Sequence, residues 1–326
     1  MEKNLKPQSA SNLPMEMLPA SAINTRTERA KTKWKSKLTS SLFILPYLIC
    51  FVAFLVYPLV YGIIMSFQDY ELLSSEHKFV GLQNYIDIFT AGNYMHTSFF
   101  QGLLATIKFV IYSVPLLVVV GLALALLVNA LPPKVRGVFR TIFFTPYAIS
   151  ASVMAVIFIR VFDTNAGLLN IILSKLHLPS QIGWLTDLPW AWIALIGATL
   201  WWTIGFNMLI FINALNEVSE EMYEAAKIDG ANAWQRLIYI TLPSIRRIMV
   251  FIVITSTIAS FNIYAQPFLM TRGGPGSETT VLLMNVFDVA FGQHKMGAAS
   301  AMALLMALMI IAISIVQFRL TNNKEG

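Results

Sequence analysis

The chain has 326 residues, of which 56% are hydrophobic and only 12% charged, with a net charge of +6. Soluble domains carry about 25% charged residues, so a water-soluble globule of this length could not hide so much apolar surface. The single cysteine, Cys50, excludes an intrachain disulfide, and the basic balance reads as membrane orientation rather than nucleic-acid binding.

Residues 1–37 are polar and end in a basic cluster of Arg26, Arg29, Lys31, Lys33, Lys35 and Lys37. The segment is too long and too polar for a signal peptide. It is expected to be a disordered tail whose basic end lies beside anionic lipid.

Six intervals then lack Asp, Glu, Lys and Arg: 38–68, 109–133, 141–159, 188–216, 248–271 and 296–318. Each can supply the roughly 20 apolar residues that a bilayer requires. The third is expected to run on past Arg160, which can snorkel. The expected spans are 41–66, 106–130, 141–162, 190–214, 248–269 and 297–318. Residues 88–107 also lack these charges, but Thr90, Asn93, His96, Thr97, Ser98 and Gln101 argue against a further span. The expected fold class is therefore an all-α membrane protein, with six transmembrane helices in a domain covering 38–320.

Placing the N-terminus inside puts eight Lys and Arg in the tail, three at Lys134, Arg136 and Arg140, four in the 216–247 loop, and Arg319 and Lys324 on the same side. Six remain outside: Lys78, Lys108, Arg160, Lys175, Arg272 and Lys295. This asymmetry predicts that both termini and the 216–246 loop are cytoplasmic.

That loop spells two short helices and a bend. Ser219 is a plausible N-cap, with Glu220 and Glu221 at the positive end of the helix dipole. Gly230 can take the left-handed conformation that ends a helix. Asn232 with Gln235 reads as a capping box, and Pro243 stops the second helix or begins the next element.

These same residues carry a resemblance. Glu224-Ala225-Ala226, Asp229-Gly230-Ala231 and Ile240-Thr241-Leu242-Pro243 resemble the EAA loop of bacterial ABC-importer permeases, in the version of the carbohydrate-uptake subfamily. Phe79-Val80-Gly81-Leu82-Gln83-Asn84-Tyr85, Tyr57-Pro58 and Thr271-Arg272-Gly273-Gly274-Pro275 are also similar to segments of sugar permeases. The resemblance covers residues 41–319 and implies the type I importer permease fold in its six-helix form. The larger maltose permeases have extra helices and a periplasmic domain, which the short 69–102 loop cannot supply.

The resemblance further implies a bacterial plasma-membrane protein that forms half of a pore beside a second homologous permease. An extracellular sugar-binding protein delivers the sugar, and dimeric ATPase subunits, which hold the ATP and magnesium, drive import. No cofactor is expected in this chain, and lipid but no nucleic acid is expected among its partners. ATPase coupling falls to Glu224, Ala225, Ala226, Asp229, Gly230, Ala231, Leu242 and Pro243.

The residues themselves point the same way. No G-x-x-x-x-G-K-[ST] phosphate loop is present. No Asp or Glu sits mid-span, where a proton-coupled carrier would need one. His77, His96, His177 and His294 lack metal-ligand spacing and are expected to be solvated. No pair of broken spans is visible by eye.

Spans four and five carry only neutral polar groups. Ser256, Ser260 and Tyr264 share one helical face. Neutral donors beside aromatic rings suit a sugar. Aligning the chain on the maltose permease gives matching positions at Trp201, Ile204, Gly205, Met208, Ser256, Ser260 and Ile263; with the span chemistry, the expected substrate contacts are Trp201, Gly205, Asn207, Met208, Ser256, Ser260, Asn262 and Tyr264. Glycerol phosphate or its diesters are the alternative cargo. A secondary carrier or membrane enzyme is the more distant reading.

Overall fold

The structure is a computed structural model that describes residues 44–74 and 77–322, with side chains through 320. The expected basic tail lies outside the described residues. By contacts the chain forms two units, 1–62 and 63–326. In the first lies the greater part of α1 (Ile44–Met65), an apolar helix of 22 residues that carries Cys50 and takes a π turn at Val52–Val56.

The second unit holds the remaining elements. A two-stranded antiparallel ribbon, β1 (Gln68–Asp69) and β2 (Lys78–Phe79), precedes α2 (Gln83–Phe89). Here the Gly81–Tyr85 segment has a structural task. Asn84 donates to the carbonyls of Ser66 and Gln68, each at 2.9 Å, and the Tyr85 hydroxyl donates to Ser66 Oγ at 2.8 Å. The segment thus fastens α2 to the chain leaving α1.

Next comes α3 (Tyr94–Asn129), a single helix of 36 residues capped by the side chain of Asn93. It is about 54 Å long at 1.5 Å per residue, well beyond a hydrocarbon core of about 30 Å. The polar residues at 94–101 therefore belong to the same helix as span two, as its N-terminal extension. Pro115 sits within it without breaking it.

Span three is not one helix. It is split into α4 (Pro133–Phe144) and α5 (Ala151–Val161), which meet at 99°. Pro146 lacks an N–H, and residues Thr145–Ala148 form a 3-10 turn before Ile149 becomes extended. Ser150 then caps α5 through Oγ, which accepts from Val153 N–H. A short helix, α6 (Leu168–Lys175), then leads to α7 (Trp190–Asn216).

Two short helices follow, α8 (Glu220–Ile228) and α9 (Ala233–Ser244). A 71° corner at Ile245 then leads into α10 (Arg246–Phe261). The helix stops at Asn262, and the chain resumes as a π turn over Pro267–Thr271. Span five is therefore broken as well. Among the described residues, two of the expected spans are thus interrupted, which their composition did not advertise.

A short helix, α11 (Leu282–Gly292), was not expected. It lies against α3, where Thr106 Oγ1 accepts from Leu282 N–H at 2.9 Å and Asn285 donates to Ser98 O at 2.6 Å. The last helix is α12 (Met296–Asn322). Among the described residues, four helices are long and apolar enough to span, or up to six if each bent pair counts as one span.

α3 packs along α7 and α10, and three buried clusters fill the second unit. One gathers Phe109, Met154, Trp184 and Leu195; a second Ile88, Phe99, Leu282 and Met302; a third Val128, Met208, Phe211 and Ile252.

Not all the histidines are merely solvated. His77, though stacked on Tyr70 with centroids 3.8 Å apart, is exposed as expected, whereas His96 is half-buried and its Nδ1 lies 3.0 Å from Ile88 O. Among the described residues no His, Cys, Asp or Glu group could hold a metal ion.

Candidate functional site

Two places bring polar groups together. The first is a cavity of about 430 Å³ in the second unit, within the usual ~300–1,000 Å³ range of small-molecule sites. Both breaks open onto it. The turn between α4 and α5 supplies Tyr147 and Ala151, and the interruption after α10 supplies Asn262, Ile263 and Tyr264. Non-helical backbone at membrane depth is tolerated where it lines such a cavity.

The lining is neutral. α7 contributes Thr199, Trp202, Thr203, Phe206 and Asn207, and α10 contributes Thr255, Ser256, Ala259 and Ser260. Ser260 Oγ lies 3.1 Å from Ser113 Oγ of α3, and Asn207 Nδ2 reaches Ser256 Oγ at 3.4 Å. Asn262, which lines the cavity, donates back to Ile258 O at 2.8 Å. Tyr147 stacks on Phe206 at 4.9 Å, and Tyr264 on Phe268 at 5.0 Å. The cavity thus offers hydroxyls and amides between aromatic faces, with no Lys, Arg, Asp or Glu in its wall.

Of the eight residues expected to meet substrate, Asn207, Ser256, Ser260, Asn262 and Tyr264 line this cavity. Trp201, Gly205 and Met208 do not. Trp201 packs edge-on against Phe158 at 5.3 Å and is 42% exposed on another face. Met208 is fully buried in the cluster with Phe211 and Ile252. Gly205 faces α4, and a Cβ there would stand 1.9 Å from Phe143 O.

The reason is angular. Residues on α7 turn by about 100° each, so 201, 205 and 208 share a stripe far round the helix from the one made by 199, 202, 203 and 206. The Thr199, Trp202 and Thr203 set is visible as a polar stripe in the sequence. Gln266 is likewise visible as a polar residue of span five, whereas Phe206 and Tyr147 carry no such signal.

Trp202 also holds the wall together. Its Nε1 donates to Ile149 O at 2.9 Å, across from α7 to the turn before α5. Trp202→Phe would leave that carbonyl unpaired at a cost of about 1–3 kcal/mol. The expected result is a lower unfolding midpoint for the purified protein with unchanged helix content by circular dichroism.

The second place is the α8–α9 elbow. Ser219 occupies the N-cap of α8, but its side chain makes no capping hydrogen bond. The other end is closed as the sequence predicts. Gly230 has φ +80°, its N–H reaches Lys227 O at 3.1 Å, and Ala231 N–H reaches Ala226 O at 2.9 Å. This is the Schellman pattern, and it assigns Ala226, Gly230 and Ala231 a role in helix termination. Asn232 and Gln235 form the reciprocal capping box at 2.9 and 2.8 Å.

A π turn at Leu237–Thr241 precedes Leu242-Pro243. Thr241 Oγ1 meets the Tyr223 hydroxyl at 2.8 Å and so ties α9 to α8. Glu224, Ala225 and Asp229 stay exposed, and Ile228 is 86% exposed on a short helix that carries three glutamates. Large apolar side chains left bare in such a place mark a surface for another protein.

An α-helical multi-pass protein with a neutral polar cavity at two helix breaks, and a rigid exposed elbow, belongs to the class of solute permeases. Residues 118–324 match the family described as binding-protein-dependent transport system inner membrane component, and the chain belongs to that family.

Among its relatives, the probable ABC transporter permease protein YurN of Bacillus subtilis is 30% identical, covering 87% of this chain and 96% of YurN. The arabinooligosaccharides transport system permease protein AraP of the same species is 29% identical, covering 90% of this chain and 91% of AraP. The trehalose/maltose transport system permease protein MalF of Thermococcus litoralis is 30% identical, covering 89% and 96%. A chain of a crystal structure of a bacterial alginate ABC transporter, solved with an alginate pentasaccharide-bound periplasmic protein, superposes with a TM-score of 0.76 at 20% identity. It covers 88% of this chain and 94% of that one, and the likeness establishes the ABC-importer permease fold. The chain is a multi-pass membrane transport subunit.

Proposed function

We propose that this chain is one of two permease subunits that together enclose an uncharged sugar or oligosaccharide in the cavity between α3, α7 and α10. A separate binding protein delivers the cargo to the outer face. Separate ATPase subunits hold and hydrolyse ATP, and each docks on an elbow in the cytoplasm, where both termini also lie. Closure of the ATPases would then rock the permease between outward- and inward-open states, a coupling of two sites through one two-state element.

The observation that carries this reading is the cavity wall. It offers neutral hydrogen-bonding groups and aromatic rings, as a polyhydroxylated ligand with apolar C–H faces requires. The names of AraP and MalF support a saccharide cargo. Glycerol phosphate is disfavoured because no cation lines the cavity to meet a phosphate.

The test is Asn262→Leu, with Ser260→Leu beside it, in membranes of equal permease content. Asn262 is exposed to the cavity and its amide holds only its own helix, so its loss should leave the fold intact. Each sugar hydroxyl left unpaired costs about 1–3 kcal/mol, or roughly 5- to 150-fold in apparent affinity. Normal saccharide uptake by both variants would remove these residues from the site. A charged solute as main cargo would overturn the reading of the cavity.

A further inference from the structure

We propose that a second cavity, on the membrane side of the elbow, is a binding site for a phosphate ester that carries a neighbouring hydroxyl. The proposal rests on the reading of this chain as an importer permease with its elbow in the cytoplasm. This cavity, of about 460 Å³, lies between the inner ends of α3 and α7 and the elbow helices. It is lined by Asn129 from α3, Leu215 from α7, Tyr223 from α8, and Arg236 and Thr241 from α9, among others. It is separate from the cavity at the helix breaks and shares no residue with it.

Two of its lining groups are buried without partners. Arg236 Nε, a donor, and Asn129 Oδ1, an acceptor, are both shielded from solvent and make no hydrogen bond. Native proteins rarely leave such groups unpaired, because each costs the desolvation of a polar atom. One ligand that accepts from Arg236 and donates to Asn129 would satisfy both. Phosphate accepts strongly from a guanidinium, and an adjacent hydroxyl supplies the donor.

The surrounding charge agrees. No acidic residue lines the cavity. Arg136 stands at the same helix end, donating to Asn129 O at 2.7 Å and Leu131 O at 3.1 Å. Basic pockets between helix ends on the cytoplasmic side suit anionic headgroups. The Tyr223–Thr241 hydrogen bond joins α8 to α9 across this same wall, so a ligand here would brace the elbow. The chemistry fits a phosphatidylglycerol headgroup from the inner leaflet, and equally a soluble sugar or glycerol phosphate.

The experiment uses the full-length permease in its complex. One arm counts phosphatidylglycerol retained in native mass spectra after reconstitution in mixed phosphatidylglycerol–phosphatidylcholine nanodiscs. The other titrates glycerol 3-phosphate against the complex in phosphatidylcholine alone, read by calorimetry. Arg236→Gln and Asn129→Leu should each weaken the ligand about five- to tenfold, as expected for one charge or one buried hydrogen bond. Lys134→Gln, on an exposed helix start outside the cavity, should not.

Retention in the first arm assigns the site to lipid, and binding in the second assigns it to a soluble ester. The proposal is overturned if neither ligand binds, or if Lys134→Gln weakens binding as much as Arg236→Gln. Arg236→Lys, which keeps the charge, should restore part of the affinity and guards against a folding defect. Saccharide uptake is measured separately. A complex that binds the ester but carries no saccharide would refute the proposed cargo and leave this site standing.

Discussion

Gly230→Asp is expected to abolish ATP-driven uptake while the permease stays folded in the membrane. A Cβ at this position would meet nothing within 4 Å, so the substitution causes no clash within the chain. What it does cost is a side chain at φ +80°, roughly 1 kcal/mol, and Asp tolerates that region better than most residues. That is small beside the 5–15 kcal/mol stability of a typical domain. The new carboxylate would instead appear on the exposed elbow, beside Ile228 and the low surface of Ala225.

An ATPase seated there would have to bury an unpaired charge, which costs several kcal/mol. Uptake should therefore fall by about 100-fold or more, together with recovery of the ATPase in pull-downs. Gly230→Ala, which adds bulk without charge, should keep part of the coupling. Glu224→Ala should do less than Gly230→Asp, since an exposed ion pair is worth only about 0–1 kcal/mol. Full uptake by Gly230→Asp at equal permease content would show the elbow to be a linker.

The elbow was legible because its signals are local. A capping box and a helix-ending glycine act through backbone geometry within a few residues, and the structure shows both at work, whereas α9 runs through Pro243 and ends at Ser244. The long apolar helices were legible from composition alone. The breaks in spans three and five were not. Pro146 and Asn262 sit in stretches apolar enough to read as continuous, and whether a helix stops there depends on what fills the space beside it. The cavity supplies that reason, and it is a tertiary property. α11 was missed for the same cause: its start is stabilised by Thr106, 176 residues earlier in the chain.

The substrate face of α7 divides along the same line. Asn207 was found from its chemistry, whereas Trp201, Gly205 and Met208 came from alignment to another permease. A shift of one residue on a helix turns a side chain by about 100° and changes its neighbours entirely. Phe206 and Tyr147 look like any other apolar residue in a span, and only their stacking at 4.9 Å in the cavity wall distinguishes them.

Gly205 gives this difference a measurable form. Its α carbon lies so close to α4 that a Cβ would stand 1.9 Å from Phe143 O, 2.5 Å from Phe143 C and 2.8 Å from Phe144 Cα. These are backbone atoms, which cannot swing aside as a flexible side chain would. The two helices would have to part by more than about 1 Å in an interior packed like a crystal. Overpacking of this kind costs about 1–3 kcal/mol and more when backbone must move.

The strain would not stay local. α4 leads directly into the turn that carries Tyr147 and Ile149, and Trp202 is bonded to that turn from α7. Gly205→Val should therefore lower the yield of folded permease, reduce the melting temperature by about 5 °C or more, and depress uptake at every saccharide concentration. Gly205→Ala should do the same to a smaller degree. A residue that met cargo would behave differently: alanine would raise the half-saturating concentration and leave the melting temperature alone. Finding that second pattern would place Gly205 at the cargo and show that α4 and α7 stand further apart than described.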